Sequence, residues 1–281
     1  VTSAQENELA LRTQVVDAAR PRRLPNYREA WQYRFVIRAL VVRDLRLRYR
    51  QTLLGATWVL AGPLIAAGVF TLVFGKIARL PHPGTSSYFS FALAGMAAWT
   101  AFSGALIRVA SSLIQNGGIV GKVFVPRILL PLASWMSSLV DATVVLVALV
   151  LVTVAVGDAS PRLLVAPVAV VAASLLGLAA GLLIAGLVVM YRDVNYVLPF
   201  AVQLFLFIAP VAYGRTALPV AWRRFYYVNP LASLIDLVRW TTGGSGVPLL
   251  ALAWSAGIGL VLLAIGATQF ERHNRYLADV I

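Results

Sequence analysis

Cysteine is absent from all 281 residues, which excludes a disulfide framework, thiol chemistry and any Cys-based metal site. Charge is scarce: 12% of the residues are charged, against about 25% in soluble domains. Lysine is scarcer still. Only Lys76 and Lys122 occur among 24 basic residues, a bias that points to a GC-rich genome rather than to function. The two histidines, His82 and His273, lie far apart without a metal-ligand companion. Asp141, Asp158, Asp193 and Asp236 are scattered along the chain, which counts against an intramembrane glycosyl- or acyltransferase needing acid/base groups at one face. An ion channel or proton-coupled carrier would need a charged relay across the membrane, and the apolar segments do not supply one.

What the chain has in quantity is apolar sequence, 60% hydrophobic residues arranged in repeated long runs. This reads as an all-α polytopic membrane protein. The net charge of +13 does not imply a nucleic-acid partner, because 11 of the 24 basic residues precede residue 51.

Residues 1–27 are polar and mixed and are expected to form a flexible cytoplasmic tail, with no secretory signal. Residues 28–50 read as an amphipathic helix along the membrane interface. Trp31, Phe35, Val42, Leu45 and Tyr49 share a stripe interrupted by Arg38, and Asp44 and Arg48 are spaced for an i,i+4 pair. The arginine-rich stretch 43–50 then runs straight into apolar sequence, which marks where the chain enters the bilayer. Six transmembrane helices are expected, at about 52–75, 88–107, 132–156, 163–190, 196–213 and 248–270, the fifth only just long enough. With the N-terminus inside, the inner segments hold 17 basic residues and the outer ones seven, so both termini are expected in the cytoplasm. The tail 271–281 is then cytoplasmic, and 28–270 is the transmembrane domain.

Four further features carry expectations. Ala169, Ala173, Gly177, Gly181 and Ala185 place a small residue every four positions, for close packing either within one subunit or across a dimer face. Asp141 lies inside the third segment, where a carboxylate must be neutral, paired or hydrated. Arg108 or a hydroxyl is its expected partner. The run GGIVGK in 107–131 is not a phosphate loop: G-x-x-x-x-G-K needs glycine where Asn116 stands, and Val123 follows Lys122. The outer stretch 214–247 is too apolar for a plain loop and too polar to span. Trp222, Phe225, Tyr226, Tyr227 and Trp240 make it interfacial, with one or two short helices broken at Asn229-Pro230.

The stretches RDLRLRYRQTLLGATWVLAGPL, NGGIVGKVFVPRILLPLASW and YRDVNYVLPFAVQLFLFIAPVAY, followed by the NP-containing outer segment, occur in that order from about residue 30 to the C-terminus. In this the chain resembles the permease subunits of polysaccharide and O-antigen ABC exporters, of the ABC-2 transporter family. The resemblance implies a homodimeric pore for a lipid-linked polysaccharide (O-antigen, galactan or teichoic-acid type) in the cytoplasmic membrane. A separate ATPase subunit would bind ATP and Mg, with no cofactor on this chain. It maps ATPase coupling onto Gln115, Asn116, Lys122 and Arg127 and onto Arg192 and Asp193. Helices one and five would line the channel, through Trp58, Phe70, Phe74, Phe200, Phe205, Phe207 and Tyr213. It places an outer gate at 214–247, with Trp222, Tyr226, Tyr227 and Asn229. Arg43, Arg46, Arg48 and Arg50 of the interface helix are candidates for the pyrophosphate of a lipid carrier or for anionic membrane lipids. A drug or small-lipid exporter of the same superfamily is the alternative.

Overall fold

The computed structural model describes residues 33–50, 57–82, 84, 87–120, 126–191, 193–244, 246 and 249–273. The expected tail 1–27, Trp31, Lys122, Arg192 and residues 274–281 lie outside them. Among the described residues every regular element is helical. We number the helices α1 (Arg34–Tyr49), α2 (Thr57–Phe70, continued by a π-helical stretch Thr71–Ile77), α3 (Tyr88–Gln115), α4 (Gly117–Val120), α5 (Leu129–Val156), α6 (Ala166–Met190), α7 (Val194–Ile208), α8 (Pro230–Thr241) and α9 (Leu249–His273).

The bundle is built around α3. Its sequence is rich in alanine, and Ala92, Ala94, Ala97, Ala98, Ala101, Ala105 and Ala110 are all buried. Small side chains let neighbouring backbones come close, and in a bilayer that dispersion contact replaces the hydrophobic drive available in water. The small-residue ridge of α6 is its counterpart. A Cβ on Gly177 would stand 2.3 Å from the Phe102 carbonyl oxygen, and one on Gly181 would stand 2.7 Å from Val109 Cβ. The ridge is therefore spent on packing inside the subunit. On another side of α6, α9 closes in through Gly266, whose Cβ would meet the Ala179 carbonyl at 3.1 Å.

Five of the six expected spans are long and apolar enough to cross a membrane: Thr57–Ile77, Tyr88–Gln115, Leu129–Val156, Pro161–Met190 and Leu249–Phe270. The fifth expected segment differs. Its helix, α7, has 15 residues, about 22 Å at ~1.5 Å per residue, short of the hydrocarbon thickness of ~30 Å. The chain turns extended at Ala209, ahead of Pro210. The second segment differs in the other direction. It stays helical to Gln115, so Arg108, which reads in sequence as an inner-loop residue, sits within α3. The serines that suggested a loop are satisfied where they are: Ser112 donates to the Val109 carbonyl and Ser111 to Asn195 Oδ1.

The two ends of the bundle are distinct. At one end are α1, α4 and the start of α7. At the other are residues 78–82, 84 and 87 and the segment 214–244. Between them α3, α5 and α6 carry the core.

Candidate functional site

At the α1 end, α1 packs against the bundle. Leu40 is buried with Val109 and Leu113 of α3, Leu130 and Ala133 of α5, Leu182 and Ala185 of α6, and Phe270 of α9. The expected apolar stripe is not the buried one: Phe35 and Val42 are exposed, and Val36, Ile37 and Val41 pack with Leu40 instead. The arginines divide in the same way. Arg43 turns inward, pairing with Asp44 at 2.8 Å and donating to Asn116 Oδ1. Arg48 also turns inward. Its expected pairing with Asp44 gives way to a salt bridge with Asp141 at 2.7 Å. Asp44 is already held by Arg43, whereas Asp141 is 5% exposed and needs partners that water cannot replace. Arg38, Arg46 and Arg50 face outward with Phe35, Val42 and Leu47 and, together with Ala39 and the partly exposed Arg43, line an open concavity of about 550 Å³.

Asp141 lies roughly 18 Å along α5 from its start, at ~1.5 Å per residue. Three groups converge on it: Arg48 and Arg108 on Oδ2, and the Tyr49 hydroxyl on Oδ1 at 2.6 Å. Burial, and then the adjoining Asp141 carboxylate, raise the pKa of the Tyr49 hydroxyl above its ordinary value, which keeps it a donor. Arg108 and a hydroxyl were both legible as partners. Arg48 was hidden by its local spacing.

The remaining coupling candidates sit at the same end. Gln115 and Asp193 are exposed, Arg127 is half-buried, and Asn116 is buried, its amide donating to the Ser112 carbonyl. Asn195, at the start of α7, accepts from Ser111 at 2.8 Å, so the second candidate contact is tied to α3 next to the first.

The channel candidates split. Phe70 is buried, with its ring 5.9 Å from that of Phe74, and Phe205 packs against Trp99 and Phe102. These rings are core contacts of the subunit. Trp58, Phe200 and Phe207 are exposed, on faces of α2 and α7 that also expose Ile65, Val197 and Leu204. Tyr213 is half-buried and donates to the Ile208 carbonyl.

At the other end, the described residues of 214–247 hold three short 3₁₀ turns and one α-helix, α8. Asn229 does not merely break the chain. Its side chain caps α8 by accepting from Leu231 N, with Pro230 in the first turn. Helix α8 is buried rather than lying at the surface, and Ser255 of α9 hydrogen-bonds the Pro230 carbonyl at 2.6 Å. Its keystone is Arg239, 3% exposed. The guanidinium donates to the carbonyls of Val211 (2.7 Å), Tyr213 (3.2 Å) and Phe91 (3.4 Å) and to Asp236 (3.3 Å), and lies 3.6 Å above the Phe91 ring. By taking the carbonyls that follow α7, Arg239 satisfies a backbone that has left its helix. Tyr226 and Tyr227 both donate to Asp236, at 3.1 and 3.3 Å. Burial raises the pKa of all three: Tyr227 to about 12, Tyr226 well above its usual value and Asp236 above the ordinary carboxylate range. Trp222 is exposed, its ring tilted 58° to that of Phe225 with centroids 6.1 Å apart. Gly84 lies backbone to backbone against Gly243 and Gly244, just after α8. Gly84, at φ +106°, would bring a Cβ to 2.7 Å from the Gly243 carbonyl, so only glycine fits. Arg239 and Asp236 were missed in sequence because an arginine in a polar outer stretch looks solvated. The clue was their i,i+3 spacing.

Among the described residues no group of three or more His, Cys, Asp or Glu side chains could hold a metal ion. The arrangement offers an open concavity beside α1, two buried charge clusters and exposed aromatic faces on α2 and α7. The family model for ABC-2 type transporters matches residues 36–242. The chain belongs to the ABC-2 type transporter family. Among the relatives of this ABC-2 chain, the O-antigen export system permease protein RfbA of Myxococcus xanthus is 26% identical over 261 residues, covering 90% of this chain and 98% of the relative. The protein of the same name from Klebsiella pneumoniae is 22% identical over 243 residues, covering 85% and 92%. The ABC-2 match spans both ends described above, from the buried face of α1 through α8, and it identifies a transporter membrane subunit rather than an enzyme.

Proposed function

We propose that this chain is the channel-forming permease subunit of an ABC exporter that moves a lipid-linked polysaccharide, of O-antigen, galactan or teichoic-acid type, across the cytoplasmic membrane. The observation that carries this reading is the match to O-antigen export permeases over 92–98% of their own length. Two copies form the pore. The exposed faces of α2 and α7, with Trp58, Phe200 and Phe207, are the surfaces a second copy and the sugar chain would meet. Aromatic rings stack on the apolar faces of sugars without demanding one sequence of them.

The α1 end is cytoplasmic in this reading, in keeping with its excess of arginine. A separate ATPase subunit, carrying ATP and Mg, docks on 115–127 and 191–195. Arg38, Arg46 and Arg50 are the arginines left to meet the lipid carrier's pyrophosphate or anionic headgroups, since Arg43 and Arg48 are engaged inside the subunit.

The test is transport in inverted membrane vesicles that contain this chain and the ATPase encoded beside it. Lipid-linked polysaccharide should enter only with ATP. Absence of a co-purifying ATPase together with absence of ATP-driven transport would reject the reading. Charge reversal at Lys122 or Arg127 should weaken ATPase binding in pull-down. Unchanged assembly and unchanged ATPase stimulation would remove those residues from the docking site.

A further inference from the structure

The contacts of α1 form two points of attachment. Its middle is tied through Arg43 to Asn116, at the junction of α3 and α4, where the coupling segment begins. Its last turn is tied through Arg48 and Tyr49 to Asp141 of α5, which also holds Arg108 of α3. The chain leaves this last turn to enter α2, whose exposed face carries Trp58 and Ile65. A displacement felt at Asn116 thus reaches α2 through a helix whose far end is held by the side chains of Arg48 and Tyr49 on Asp141.

The charges at that far end are unequal. Two guanidiniums share one carboxylate oxygen, and Arg108 Nη1 is buried with no hydrogen-bond partner among the described residues. The Asp141–Arg108 pair is neutral without Arg48. Arg48 adds a surplus positive charge that only the same carboxylate restrains. Such an attachment is strong while the carboxylate is charged and close, and becomes repulsive between the two arginines once it is removed or drawn away.

We propose that Asp141 is a positioning residue, a clasp that sets where α1 docks and through it passes the stroke received near Asn116 on to α2. The clasp rests on side-chain geometry alone; its role in transport rests on the permease reading above.

The absence of native cysteine gives a clean probe. Leu40 is buried beneath α1, so Leu40→Cys should react slowly with a maleimide in the full-length protein in its membrane. Asp141→Asn, which leaves Arg48 and Arg108 facing each other, should raise that rate by about tenfold or more. Arg48→Gln, which leaves the neutral Arg108–Asp141 pair in place and so preserves folding, should raise it by roughly threefold, the effect of losing one partly exposed ion pair. In the complete transporter both variants should keep ATPase activity but move less polysaccharide per ATP, Asp141→Asn more than Arg48→Gln. A labelling rate unchanged in Arg48→Gln overturns the clasp. A raised rate with unchanged transport per ATP overturns its role in transmission. If the unsubstituted transporter shows no ATP-driven transport, the permease reading fails, and the labelling rates still decide the clasp.

Discussion

Asp141, near the α1 end, and Arg239, at the opposite end, are almost equally buried, yet their partners come from different sources. Asp141 is held by three side chains from two other helices. Arg239 is held mainly by main-chain carbonyls and a ring face, with one carboxylate from its own helix. Side-chain partners can leave, or be removed one at a time. Carbonyl partners belong to the fold and cannot be substituted away. The α1 end is therefore built to be repositioned by changes in charge, and the α8 end to stay put. At the fixed end the adjustable part is smaller, the pair of tyrosine hydroxyls that tie 226–227 to Asp236.

Substitution at Arg239 should break the comparison most severely. Arg239→Met leaves the Val211 and Tyr213 carbonyls buried without donors and Asp236 without its cation, and should cost about 3–5 kcal/mol. The check is loss of monodisperse protein in detergent and a lower thermal midpoint. Arg239→Lys should recover only part of this, because one ammonium cannot reproduce the fork of donors. Next comes the framework that both ends share. Gly177→Val forces branched carbon into the Phe102 carbonyl and should cost about 1–3 kcal/mol, read by the same thermal midpoint while leaving Leu40→Cys labelling low at room temperature. Smaller still, Tyr226→Phe and Tyr227→Phe each remove one hydrogen bond, about 1–2 kcal/mol. They should speed proteolysis within 214–229 while leaving cleavage near α1 unchanged.

The smallest effect is a titration. The Tyr227 hydroxyl is pushed up to about 12 in the folded state, against about 10 in an unfolded chain. Between those values the folded state keeps a proton that the unfolded state has lost. The contribution of Tyr227 is thus fully present below pH 10 and declines as pH rises through 12. Protection of 214–229 from proteolysis should fall across that window in the native sequence, and the Tyr227→Phe variant should show a shallower fall.

How much of this was legible in sequence depends on what each residue answers to. The long spans were readable because apolar length maps directly onto bilayer thickness. Asp141 and its partner Arg108 were readable because a charge among apolar residues must be satisfied, and few candidates were available. The fifth segment was readable only as far as Ile208. Beyond it the course of the chain depends on Arg239, some 30 residues later, and on carbonyl oxygens that every residue possesses. Backbone acceptors leave no mark in a sequence. The arginines of 43–50 were readable as a group but not one by one. Their division into inward Arg43 and Arg48 and outward Arg46 and Arg50 follows from where Asn116 and Asp141 stand in space.

The π-helical stretch Thr71–Ile77, at the end of α2, bears on how the length of this chain can vary. A π turn carries an extra residue relative to an α turn. Removing one residue there can be absorbed by tightening the coil, with the α-helical part of α2 before it keeping its bearing. The same deletion in α3 or α6 would rotate every later side chain by about 100°, since 3.6 residues complete a turn, and would carry the small-residue seam out of register. Among the described membrane helices, α2 is thus the one equipped to change length by a single residue.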